Sequence, residues 1–259
     1  MTLQRVLLDD LTITDEASFS HVALYARLKR ALLAAKYPFH VAAEGTTLSW
    51  DRATFLNLTF WSAEEGADVL CEPSIPADVV AHVAWHHLAT TQLARLAPDS
   101  GAPCADALFF GEAIASAFDL YLVGRLLRNV PDSDFIATQV SIMSEAAEQD
   151  GLTETELEAL LNAVALDPER AFEDLRSLLL DVSRALLGCR NVLQAHAVLE
   201  GFSAHRFKSL LHHYQLSNWV LYARAYGASN PAQERAVREL DDTLRVSPVA
   251  LDWLADNWL

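Results

Sequence analysis

Cysteine is scarce in this chain: Cys71, Cys104 and Cys189 stand far apart, with no Cys-x-x-Cys pair. That excludes a disulfide framework and a zinc ribbon, and makes a reducing cytosol the expected setting. Positive charge is scarce as well. Nineteen Lys and Arg face 35 Asp and Glu, for a formal net charge of −16 and a pI near 4.8. A chain this acidic is repelled by polyanions, so neither nucleic acid nor an anionic membrane is an expected partner. Arg125, Arg128, Arg206 and Lys208 form no basic run and read as solvated helix faces. There is no Gly-rich phosphate loop, no Gly-x-Ser-x-Gly elbow and no Cys-His pair at a recognisable spacing. Nucleotide use and serine or cysteine catalysis therefore lack local support. The opening MTLQRVLLDD has neither a basic n-region nor an apolar h-region, so no secretory signal is read there and a cytoplasmic protein is expected.

What is abundant is apolar surface at helical spacing. Hydrophobic residues make up 52% of 259 positions and mean hydropathy is +0.14, enough for a large core. LQRVLLDDLTI is compatible with a strand or a docked arm, and FHVAAEGTTLSW alternates like a short hairpin turning at Glu44-Gly45. Apolar positions recur at helical spacing from Asp15 to about Lys36, and again after Pro76 to about Leu96. Asp51 reads as the cap of a short apolar segment. Thr153 with Glu156 forms a capping box, and Asp167-Pro168, Asn230-Pro231 and Ser247-Pro248 each read as a cap followed by a first-turn proline. A further helix spans Asn191 to Gly201, and Ser203 reads as the cap of a long helix to about Tyr226. The expectation is a mainly α fold of about ten helices with a small N-terminal β element. It is read as one domain over 1–259, with Gly151 as the candidate boundary between a metal-bearing half, 1–150, and a C-terminal helical half, 151–259.

The chain is organised around ALFFGEAIASAFDLYLVGR, residues 107–125. Between Leu108 and Gly124 only Glu112 and Asp119 are charged. A helix apolar on nearly every side belongs inside a core, and two acids near its middle argue against a membrane span. Seven positions apart, at roughly 100° per residue, the two share one face about 10 Å apart along the axis. A carboxylate removed from water costs several kcal/mol unless a cation or strong donors meet it.

Partners stand one helix upstream. In VVAHVAWHHLA, His82 and His86 are four apart and lie on one face, able to converge on one ion. Two histidines of one helix and a glutamate of the next, here Glu112, form the protein ligand set of a large class of zinc sites. The pair of segments HVAWH and GEAIASAFD resembles the gluzincins, the thermolysin-like zinc peptidases. These carry His-Glu-x-x-His on one helix and a third ligand on a later one, in a context such as Asn-Glu-Ala-x-x-Asp. The resemblance covers residues 78 to about 124. It implies His82, His86 and Glu112 as zinc ligands, with Asp119 as an acceptor for a ligand histidine. It also implies a defect: the family's general base follows the first histidine, where this chain has Val83, which takes no proton. Hydrolysis is therefore expected to be lost or altered, with His87 as the candidate left for proton work.

Two other readings stand beside this one. The same residues can form a polar core network in a non-catalytic interaction protein, with Asp119 capping or pairing with Arg125 or Arg128. Alternatively His205 and His212, seven apart on the helix expected after Ser203, with His213 beside them and His196 on the preceding helix, can add to the acids in a non-haem iron centre. The terminal ALDWLADNWL sets Leu251, Leu254 and Trp258 on one stripe, which docks on the body of the protein or on a protein partner.

Overall fold

A computed structural model describes residues 3–42, 68–70, 72–98 and 102–259. The fold is mainly α, with ten α-helices among the described residues and its strands confined to the N-terminal part. The chain divides into two units, Met1–Ala84 and Trp85–Leu259. Gly151 lies inside the second. It takes φ 86°, just after the fourth helix, a left-handed turn that glycine makes without strain.

In the first unit, β1 (Leu3–Leu7) pairs antiparallel with β3 (Pro38–Ala42), with Val6 opposite Phe39, and β3 pairs parallel with β4 (Asp68–Leu70). A second, two-stranded sheet joins β2 (Thr12–Thr14) in parallel to β5 (Ser74–Pro76). The partners of β3 are thus β1 and β4; the expected Glu44-Gly45 turn and Asp51 cap lie outside the described residues. The helix expected from Asp15 starts later. Asp15 adopts φ 53°, residues Glu16–His21 form a 3-10 turn, and α1 runs Ala23–Ala35 with Tyr25, Leu28 and Leu32 buried. Glu16 anchors this corner, accepting from the Tyr25 hydroxyl at 2.9 Å and from Lys29 Nζ at 2.6 Å.

Helix α2 (Ala77–Leu96) begins directly after Pro76, which closes β5, and runs unbroken across the division between the units. Helix α3 (Ala105–Asn129) is the expected apolar helix, buried over most of its length and capped by Cys104, whose sulfur accepts from the Ala107 amide. By length and composition it could cross a membrane, but 83% of its most apolar window is buried inside the chain. Around it in the second unit stand α4 (Asp134–Gln149), α5 (Glu154–Leu166), α6 (Pro168–Leu187), α8 (His213–Tyr226) and α9 (Pro231–Val246). Helix α7 (Val192–Gly201) and the last, α10 (Ala250–Trp258), complete the unit. The capping residues work as their chemistry requires: Thr153 and Glu156 exchange hydrogen bonds, and Asp167, Asn191 and Asn230 each accept from the amide three residues on.

Two expected helix starts are corrected. The stretch after Ser203 is a run of turns with a 3-10 segment at Lys208–Leu210, and α8 starts only at His213. Phe207, Ser209 and Leu211 are all buried, and an every-second-residue pattern cannot be served by one face of a helix. Ser247 does not cap α10. Its hydroxyl donates to the Thr243 carbonyl at 2.7 Å, closing α9 instead. On α10 the stripe of Leu251, Leu254 and Trp258 is buried within the second unit, with the Trp258 ring against Trp85 and Phe110.

Close packing around α3 is enforced at Gly124, where a Cβ would stand 2.8 Å from the Val164 carbonyl oxygen and 2.9 Å from Pro168 Cβ. Charge is handled just as tightly on α6. Arg176 is 0% exposed, holds both carboxylate oxygens of Glu173 at 2.7 Å and reaches Asp241 of α9 at 2.9 Å. Arg184 and Arg245 bind the same Asp241 at 3.1 and 2.9 Å. Burial pushes the Asp241 carboxyl up, but Arg176 and Arg245 together outweigh it, and the group titrates below the usual carboxylate range. Removing one partner of such a cluster strands a buried charge, so Arg176→Met is expected to destabilise the fold by about 3–5 kcal/mol. The paired change Arg176→Met/Asp241→Leu should recover much of that loss, both read by chemical denaturation.

Candidate metal centre

The apolar sequence of α2 buries Val80, Ala81, Val83, Ala84, Trp85, Leu88 and Ala89, and leaves His82, His86 and His87 half-buried. His82 and His86 sit one turn apart on this continuous helix, so its own geometry fixes their spacing. Opposite stands Glu112 of α3, 5% exposed. One ligand atom from each of His82, His86 and Glu112 lies within 4.8 Å of the other two. His86 Nε2 stands 3.4 Å from Glu112 Oε1.

That spacing has a chemical meaning. Donor atoms sharing a tetrahedral ion with bonds near 2 Å stand about 3.3 Å apart. The His86–Glu112 pair already meets it, and the His82 imidazole needs at most a small side-chain adjustment. The orientation of His86 is set by α3 itself. A Cβ on Gly111 would stand 3.6 Å from Nδ1, so Nδ1 faces the α3 backbone while Nε2 faces the carboxylate. Two imidazole nitrogens and a carboxylate oxygen, all neutral or anionic donors, could hold a metal ion.

Among the described residues this is the one group of three or more His, Cys, Asp or Glu side chains gathered closely enough to hold an ion. Asp119 and His87 are outside it. Asp119 is half-buried further along the same helix. Arg125, expected as its pairing partner, is instead bound by the Tyr121 hydroxyl at 3.1 Å and by Glu169. Burial of His87 lowers its pKa, keeping the ring neutral. The position after His82 is filled by Val83, 3% exposed, so the gluzincin base position is here a packed core position.

The downstream histidines do not converge on this centre. His205 and His212 are not on one helix, and each serves the backbone: His205 Nδ1 accepts from the Phe207 amide at 3.2 Å, and His212 Nδ1 caps α8 by accepting from Gln215. His213 opens α8, and His196 is exposed on α7. One residue near the centre has no signal in the sequence. Tyr222 of α8 has its hydroxyl pKa pushed up, first by burial, then by Tyr226, whose ring centroid is 4.8 Å away, and by the Glu112 carboxylate.

Compared with protein-family models, curated proteins and solved structures, the chain has no match in any of the three. The side chains themselves therefore carry the functional reading.

The state of His205 has a measurable consequence. Burial lowers its pKa, with a smaller opposing pull from Asp174, and its cap needs an unprotonated Nδ1. As pH falls below about 6.5, the unfolded chain binds this proton more readily than the folded one, so stability is lost. Denaturation midpoints should fall between pH 7.5 and about 5.5, and fall less in His205→Asn, whose side-chain oxygen accepts the same hydrogen bond without titrating.

Proposed function

We propose that this chain is a metal-binding helical protein that holds one divalent ion through His82, His86 and Glu112, with zinc as the first candidate and a gluzincin-like arrangement of ligands. The observation that carries this reading is the gathering of three donor atoms within 4.8 Å around a carboxylate that is almost wholly removed from water. Such a carboxylate is costly unless compensated, and an ion supplies the compensation. His82 and His86 are half-buried rather than sealed, which favours a site with coordination positions left for water or substrate over a closed four-ligand structural site. When bound, such an ion supplies Lewis acidity and an acidified water.

The hydrolytic part of the gluzincin reaction is not proposed. Its base position is Val83, buried among apolar neighbours, and no carboxylate replaces it in the group. His87, neutral and adjacent to His86, is the candidate proton acceptor beside the ligand pair. The two-histidine, one-carboxylate set equally suits a mononuclear iron(II) centre. The competing class is a non-catalytic interaction protein in which the 3.4 Å contact between His86 and Glu112 is a polar core network.

Metal analysis of protein purified without chelators separates these readings. About one equivalent of zinc is expected, lost in His82→Ala and in Glu112→Ala, and thermal stability should fall when the ion is stripped, because binding energy adds to folding energy. One equivalent of iron would move the assignment to oxidative chemistry. Metal-free protein that takes up neither ion on dialysis would leave only the polar network. Val83→Glu is expected to destabilise the fold by several kcal/mol, since it buries an unpaired carboxylate, and to yield no peptidase activity against an unstructured peptide.

A further inference from the structure

Away from the metal centre, α4, α5 and the C-terminal end of α3 enclose an open groove of about 590 Å³ within the second unit. Its floor comes from the apolar line of α5, Leu157, Leu161 and Ala165 at four-residue spacing, with Leu166 on the lining beside its far end and 70% exposed. Glu154 and Glu158, one helical turn apart and both exposed, form the wall beside that line, and Arg128 of α3 lies on the lining as well. Glu154 and Glu158 have no Lys, Arg or His within 4 Å among the described residues.

We propose that this groove is a docking site for an amphipathic helix of a partner protein, one that carries apolar side chains along one stripe and lysine or arginine at one-turn spacing beside it. Two features select that occupant. An apolar row at i, i+4 spacing lies parallel to an acidic row of the same spacing, so a helix is the element whose side chains repeat at the interval that both rows offer. The acidic row, exposed and without an ion-pair partner among the described residues, is complementary to positive charge, and the net charge of −16 repels an acidic partner before it docks. Leu166, 70% exposed on the groove lining, gains burial when such a helix covers it.

The test uses the full chain and a labelled synthetic helical peptide with leucines on one stripe and lysines on its flank, followed by fluorescence anisotropy. Saturable binding is expected, weakened about tenfold by Glu154→Lys/Glu158→Lys, two reversed surface pairs acting together, and weakened also by Leu166→Lys. All three positions are exposed, so the fold is retained. The control, Asp252→Lys/Asp256→Lys on exposed positions of α10, changes the net charge by the same amount. Equal weakening by control and groove variants would overturn the proposal, leaving non-specific attraction to an acidic protein. It would also be overturned if a peptide of the same composition with its stripe scrambled, or a glutamate-for-lysine version, bound as tightly, or if the lysine peptide did not bind.

Discussion

The structure depends on the burial of α3. A helix apolar on every side stabilises the protein only if neighbours cover every side, and α4, α5, α6, α8 and α9 do so within the second unit. From Phe109 to Ala115 every residue is buried, which leaves no wet face there to receive a charged side chain. Glu112 therefore stands as a local exception to the rule that shapes everything around it, and its carboxylate is tolerable where imidazoles or a cation meet it. The close approach at Gly124 belongs to the same constraint: covering a helix this thoroughly requires at least one neighbour to come within reach of its backbone.

Two polar clusters in the second unit solve the problem of buried charge in different ways. Around Asp241, three guanidinium groups supply fixed cations, every oxygen is met, and the carboxyl is held in its ionised state. Such a cluster neutralises its carboxylate from within the chain and reads as architecture. Around Glu112 the neighbours are imidazoles, which carry charge only when protonated and otherwise offer lone pairs. Two lone-pair donors beside an anion form an arrangement suited to a cation from outside. The difference between arginine and histidine as neighbours is what separates a structural cluster from a candidate ligand set.

Much of this was legible in the sequence wherever a local rule sufficed. The capping box at Thr153 and Glu156, the Asp167-Pro168 and Asn230-Pro231 starts and the helix after Asn191 are one-turn phenomena, and each stands where its residues imply. The three-residue cluster was legible because a four-residue histidine spacing and an isolated acid in an apolar helix are both periodic signals. Reading failed where tertiary packing decided. The segment after Ser203 carries the polar start of a helix, but burial of Phe207, Ser209 and Leu211 imposes another spacing. Ser247-Pro248 has the form of a helix start, yet its hydroxyl turns back to the preceding helix. Tyr222 reaches the neighbourhood of Glu112 through the folding of a distant helix, which no local pattern encodes.

Helix α7 shows what happens when a segment has no such obligations. Not one of its ten residues is buried, and Val192 and Leu193 are 79% and 77% exposed. Just before it, Arg224 ties down the chain through the carbonyls of Leu187 and Cys189. Beyond that clamp the helix is held by its own ladder of amides, the Asn191 cap, the Gln194 side chain accepting from the Arg190 amide and a small contact with α6, and ten residues are too few for a helix to hold itself firmly in water. The segment is thus an independently fraying flap on a stiff body: its amide protons should trade with solvent through local opening, long before the amides of α3 feel the collapse of the whole.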